Sequence, residues 1–263
     1  MADWNEPGRT QTGFGSTPNA QYDLAGRATI DVGLRRHMLS IYNYMTSGVL
    51  LTGIVALLFS RSEALMSLIS RAAVTPRGVM LQPTILGWIV SLSPLAIVFT
   101  MSFGANRFSK TTLQALFWGF ATLFGMSLST LFLVYTGASL AATFFATAGA
   151  FAGLSLWGYT TQKDISGWGS FLIMGVVGIL ISLLLNAFFF HSAGFDLAIS
   201  FIGVLIFAGL TAYDTQRLKQ QYRYVAGSGE IAGKAVVLGA LSLYLDFINM
   251  FLFLLRFMGA SRN

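Results

Sequence analysis

The chain has 263 residues, of which 55% are hydrophobic and only 10% charged, with a mean hydropathy of +0.68. A soluble domain is about a quarter charged, so this composition excludes a water-soluble globular protein, and the even spread of apolar residues excludes a soluble domain on a single anchor. The net charge of +6 reads as basic loops that orient helices and touch anionic headgroups, not as a nucleic-acid surface. With no cysteine and only His37 and His191, disulfides, thiol chemistry and a histidine or cysteine metal site are not expected, nor is a bound cofactor.

Residues 1–37 read as a polar, disordered, cytoplasmic tail without a cleavable signal peptide. The pair Arg35 and Arg36 at its end is a topology signal. Seven apolar runs follow, near 38–60, 84–105, 112–135, 138–159, 169–190, 197–216 and 235–258, each long enough for the ~20 residues of a bilayer helix. They are apolar all round, which argues against the alternation of a membrane barrel. The expected fold is an all-α polytopic membrane protein, with a seven-helix domain over 38–258 and a short tail over 259–263. Tyr135–Ser139 and Phe190–Asp196 read as tight helix hairpins with glycine at the turn, and Arg61–Pro83 is the one link long enough to hold an extra element. Gly149 and Gly153 in the fourth span form a GxxxG pair, read as packing between helices of the chain. With the N-terminus in the cytoplasm, 11 basic residues fall inside and 5 outside. That bias predicts N-in and, for seven spans, C-out, unless the last span is re-entrant.

Two of the ten acidic residues lie in or at the edge of spans, Asp214 and Asp246. Asp214 closes the sixth span just before Arg217 and Lys219, and its plain reading is an interfacial acid paired with Arg217 at i+3. Asp246 sits inside Leu241–Phe257, LSLYLDFINMFLFLLRF, where an ionisable group is costly and marks an ion or proton path. Its plain reading is a neutral carboxyl hydrogen-bonded to Asn249 or Ser242. The link between the last two spans reads as about 20 residues, so those spans are neighbours. Depth leaves contact open: Asp246 lies about 16 Å into the membrane counted from Ala235 and about 7 Å counted from Leu241. Two carboxylates that meet in low dielectric cannot both ionise cheaply and share one proton, a pH-dependent latch. Such a pair also suits a hard cation such as Ca²⁺.

At these residues the chain resembles the Bax inhibitor-1 family. The motifs are Thr211-Ala-Tyr-Asp-Thr-Gln-Arg-Leu-Lys219 and Ala240-Leu-Ser-Leu-Tyr-Leu-Asp-Phe-Ile-Asn-Met-Phe251 followed by Leu254-Leu-Arg-Phe257. The resemblance implies a central seventh helix wrapped by six others and a pH-sensitive calcium leak gated by Asp214 and Asp246, which would touch Ca²⁺ in transit. It also implies a basic residue at the cytoplasmic end of the second span that helps hold the closed state, a place taken here by Arg107. Some relatives have an acid within the second span, whereas this chain has SLSPLAIVF there. Bacterial relatives that restrain a membrane-anchored AAA protease give the alternative, a non-transporting regulator with a membrane-protein partner. An enzyme is not expected: no Ser/His/Asp set or phosphate-binding loop occurs, and the Gly-x-Gly-Asp of intramembrane aspartyl proteases is replaced by Leu-Tyr-Leu-Asp246. The setting expected is a bacterial inner membrane, with the bilayer, H⁺ and Ca²⁺ as partners.

Overall fold

The structure is a computed structural model that describes residues 18–75 and 78–260. The tail expected to be disordered over residues 1–17, Arg77 in the first outer link, and residues 261–263 lie outside the described residues.

Among the described residues nine α-helices follow one another: α1 (Pro18–Arg61), α2 (Glu63–Ile69), α3 (Ile85–Gly104), α4 (Lys110–Leu128), α5 (Leu131–Val134), α6 (Gly137–Thr160), α7 (Trp168–Leu185), α8 (Ala193–Val225) and α9 (Gly229–Met258). Seven segments of the described residues are long and apolar enough to cross a membrane, with α4 and α5 together making the third. The expected all-α polytopic fold is what forms. The long link holds α2 and a two-stranded antiparallel hairpin, β1 (Ser70–Thr75) and β2 (Gly78–Pro83), with Arg71 opposite Gln82.

Several elements depart from the sequence reading. The polar segment assigned to a tail through residue 37 becomes helical at Pro18, because nothing after that proline breaks the run into the first span. The two tight turns are not made by their glycines: Gly137 and Gly194 lie inside α6 and α8, and the turn residues are Thr136 and His191. Thr136 caps α6 by accepting from Ser139 N–H at 3.2 Å. His191 takes the left-handed conformation, φ 49°, after a π-helical turn over Asn186–Phe190. The Asn186 amide holds that turn from both sides, accepting from Ser192 N–H at 3.0 Å and donating to Ser192 O at 3.2 Å. The link between the last two spans is the largest difference. Its polar residues read as loop in the sequence, but they continue α8 to Val225 and begin α9 at Gly229, leaving a short turn between. Gly227 at φ 87° permits that turn.

The last helix is the central one. In its most apolar window 72% of residues are buried, against 11–33% in the other six spans. It packs chiefly against α1, α4, α6 and α8, while α3 leans on α4 and α7 on α8. It runs unbroken to Met258 and is not re-entrant. Beyond it, Ala260 N–H donates to Ser139 Oγ at 2.9 Å and Thr136 N–H to Ala260 O at 3.3 Å, which fixes this end beside the α5–α6 turn, opposite the end where Arg35 enters.

Lipid offers no hydrophobic drive for helices to associate, so close backbone approach matters more. At Gly158 of α6 an added Cβ would come 2.4 Å from Ala212 O on α8. The GxxxG pair does not serve this purpose: a Cβ at Gly149 or Gly153 would meet nothing of the chain within 4 Å. Those two glycines face away from the helices that α6 packs on, which corrects their reading as packing within the chain.

Candidate functional site

The site is built on the α8–α9 hairpin. Asp214 of α8 and Asp246 of α9 are both buried, 7% and 5% exposed. Ser242, one turn before Asp246 on α9, donates its hydroxyl to Asp214 Oδ2. Ser242 is therefore level with Asp214, and Asp246 lies one turn further along α9, about 6 Å by helical rise. Asp246 Oδ2 is buried and has no hydrogen-bond partner among the described residues. The two carboxyls lie within electrostatic reach of each other. They form an acidic step one helical turn high, with a serine on its lower tread, and among the described residues no carboxyl–carboxyl hydrogen bond joins them.

This geometry replaces both plain readings of Asp246. Ser242 spends its hydroxyl on Asp214, and Asn249 Nδ2 donates to Leu245 O at 2.8 Å along its own helix, so neither satisfies Asp246. The plain reading of Asp214 is replaced too. Arg217 lies close enough to influence Asp214 electrostatically, yet its side chain is exposed. Among the described residues the ion pairs within 4.0 Å are Lys234–Glu230 and Arg256–Asp196. Although i+3 spacing allows the pair, Arg217 extends to solvent while Asp214 faces α9 and accepts from Ser242. Arg107 lies in the turn between α3 and α4, exposed, with its backbone N–H donating to Gly104 O at 2.9 Å. Among the described residues its side chain has no ion-pair partner, so the structure does not bring it to the two aspartates.

A polar chain not visible in the sequence braces the step from behind. Tyr42 Oη of α1 lies 2.6 Å from Ser155 Oγ of α6, which lies 2.9 Å from Thr215 Oγ1, the neighbour of Asp214. Thr215 in turn donates to Thr211 O at 2.8 Å. Gln216 fastens the α6–α7 loop to α8, accepting from Ile165 N–H at 3.0 Å and donating to Lys163 O at 2.8 Å. On the other side of α9, the Tyr244 hydroxyl lies 2.7 Å from Thr52 Oγ1, which donates to Ala121 O at 2.8 Å. Serines and threonines are common in membrane helices, so only the proximity of Thr211 and Thr215 to Asp214 could have flagged any of these. Outside the spans, Ser166 donates to Asp164 from its N–H and its hydroxyl and holds that carboxyl below its ordinary value. Among the described residues no group of three or more metal-ligating side chains converges.

These observations define a class: a seven-helix integral membrane protein whose central span buries an unsatisfied acid one turn from a second acid on the neighbouring helix. The chain belongs to the Bax inhibitor-1 family, since the family model described as "Inhibitor of apoptosis-promoting Bax1" matches residues 34–263. It is 43% identical over 235 residues to RP147 of Rickettsia prowazekii, covering 89% of this chain and 94% of that protein. It is similar to the inner membrane protein YbhL of Escherichia coli, 41% over 231 residues, with 88% and 94% covered. The membrane protein SpyM3_0260 of Streptococcus pyogenes is 33% identical over 233 residues, with 88% and 95% covered.

Proposed function

We propose that this protein is a proton-sensitive leak pathway for calcium in a bacterial inner membrane, with its N-terminus in the cytoplasm and no catalytic activity. The observation that carries the reading is the unpartnered Asp246 Oδ2, buried in the central helix one turn from the Ser242–Asp214 hydrogen bond. A carboxylate left this way in low dielectric is expensive, whereas a proton or a hard cation relieves it. With one proton between the two acids the step carries a single negative charge. With none, two like charges stand a turn apart and repel, and four carboxylate oxygens become available to a divalent cation. Arg107, if the α3–α4 turn swings inward, adds a cation that competes for the same site.

The test is calcium flux from proteoliposomes across the neutral pH range. Wild-type protein is expected to pass calcium with a rate that varies with pH, and Asp246→Asn to lose that variation. Unchanged flux and unchanged pH dependence in Asp246→Asn would sink the mechanism. The alternative, a regulator that binds a membrane-anchored protease and moves no ion, is the outcome if wild-type protein passes no calcium at any pH.

A further inference from the structure

Helices α1 and α6 both lean on α8 and α9 and leave a cleft between them. It has a volume of about 910 Å³ and is open along one side. Its walls are apolar along nearly their whole length: Leu50 and Leu57 on α1, Ala148 and Ala152 on α6, with Phe247 of α9 as the floor. A second hollow of about 290 Å³ shares Val49, Gly53, Leu57 and Phe144 with it and extends it past Leu131. From Arg35 to Leu57 the groove follows α1 for about 33 Å, close to the ~30 Å of a bilayer's hydrocarbon. Its rim carries exposed Leu39, Ile54 and Leu156, so it opens toward lipid. At one end stands Arg35, exposed and without an ion-pair partner among the described residues.

We propose that this groove is a binding site for an anionic phospholipid, with an acyl chain between α1 and α6 and the headgroup phosphate on Arg35. Three features select that occupant. The site is a long apolar slot ending in Arg35, the one cation among its described lining residues, which matches the amphiphilic layout of one lipid. It follows α1, a membrane-spanning helix, over the depth of a leaflet and more, so a lipid enters laterally without leaving the bilayer. A second copy docked here about an axis normal to the membrane would set Arg35 against its own image, a like-charge contact. The groove wall also contains the Tyr42–Ser155 hydrogen bond, which continues through Thr215 to the residue beside Asp214. A chain in the groove therefore lies against the brace of the acidic step, though lipid binding itself does not rest on the calcium reading.

The experiment uses the full chain in phosphatidylcholine nanodiscs doped with phosphatidylglycerol, released into the gas phase for native mass spectrometry of retained lipid. Wild-type protein is expected to retain phosphatidylglycerol over phosphatidylcholine. Arg35→Ala should retain lipid but lose the preference, a change of about fivefold, which is ~1 kcal/mol for one basic residue at an anionic headgroup. Ala152→Phe should lose the retained lipid of both kinds. Gly53→Leu is the second variant, at a position where an added Cβ meets nothing within 4 Å and the helix is not disturbed. Equal retention of the two lipids by wild-type protein, or undiminished retention in both groove-filling variants, overturns the proposal. So does a groove-filling variant that changes oligomeric mass and leaves lipid retention intact, which would mark the cleft as a protein interface.

Discussion

Ser242 separates the two acids by geometry and ties one of them down. Removing its hydroxyl leaves Asp214 Oδ2 without the donor it now has. Hydrogen bonds to charged groups contribute about 1.5–3 kcal/mol, so Ser242→Ala is expected to lower the thermal midpoint in detergent and to alter the pH profile of flux, with Ser242→Thr restoring both. Asp164 is the control. Its carboxyl is held below the ordinary value by Ser166, so its contribution to the loop is complete above the ordinary carboxylate range and disappears only as pH falls through the lowered value. Asp164→Ala should therefore leave the response near neutral pH unchanged in the same flux assay. At this scale the sequence exposed the anomaly and not its resolution. An acid inside LSLYLDFINMF stands out against hydrocarbon, so Asp246 was legible. Which hydroxyl reaches which carboxyl depends on the rotation of α8 against α9. Ser242, Asn249 and Arg217 all had acceptable spacings along one helix or the other, and only Ser242 turned out to bond an aspartate.

Among the elements, α6 and α8 are held at backbone distance by Gly158 against Ala212. A methyl group there has nowhere to go unless the helices part, and overpacking of this kind costs about 1–3 kcal/mol. Gly158→Ala is expected to destabilise the protein by that order in thermal or denaturant unfolding. Gly149→Ala, on the open face of the same helix, should be neutral or stabilising by up to about 1 kcal/mol, because alanine is the better helix former. Tyr244→Phe removes one partner of Thr52 and leaves the other, Ala121 O, so a loss of about 1 kcal/mol is expected. Span number and type were readable because a run of 20 apolar residues has few alternatives. Ends were not. α1, α8 and α9 continue through polar sequence, and a polar helix leaving a membrane has the same composition as a loop. The same ambiguity hid the hairpin: a link expected to hold about 20 loose residues is helix on both sides of Gly227. The GxxxG pair shows the converse failure, since the spacing was present and its packing partner in the chain was not.

For the whole molecule, the through-running α9 and its anchoring beside the α5–α6 turn put the two ends of the described chain on opposite faces. With the basic bias of the loops, an alkaline phosphatase fusion is expected to be active at the C-terminus and inactive at the N-terminus, and a cytoplasm-dependent fluorescent fusion to show the reverse. Matching signals from both ends would contradict seven crossings. The length of the α8–α9 hairpin has a mechanical consequence. At about 1.5 Å per residue α8 is about 50 Å long and α9 about 45 Å, well beyond the ~30 Å of hydrocarbon. The excess stands out at the Gly227 end, where His37 of α1 rests against Tyr222 with ring centroids 5.1 Å apart. So short a turn leaves no slack between the two rods. The hairpin is therefore one continuous pair of rods, running from the Gly227 turn to the turn of α9 that bears Asp246.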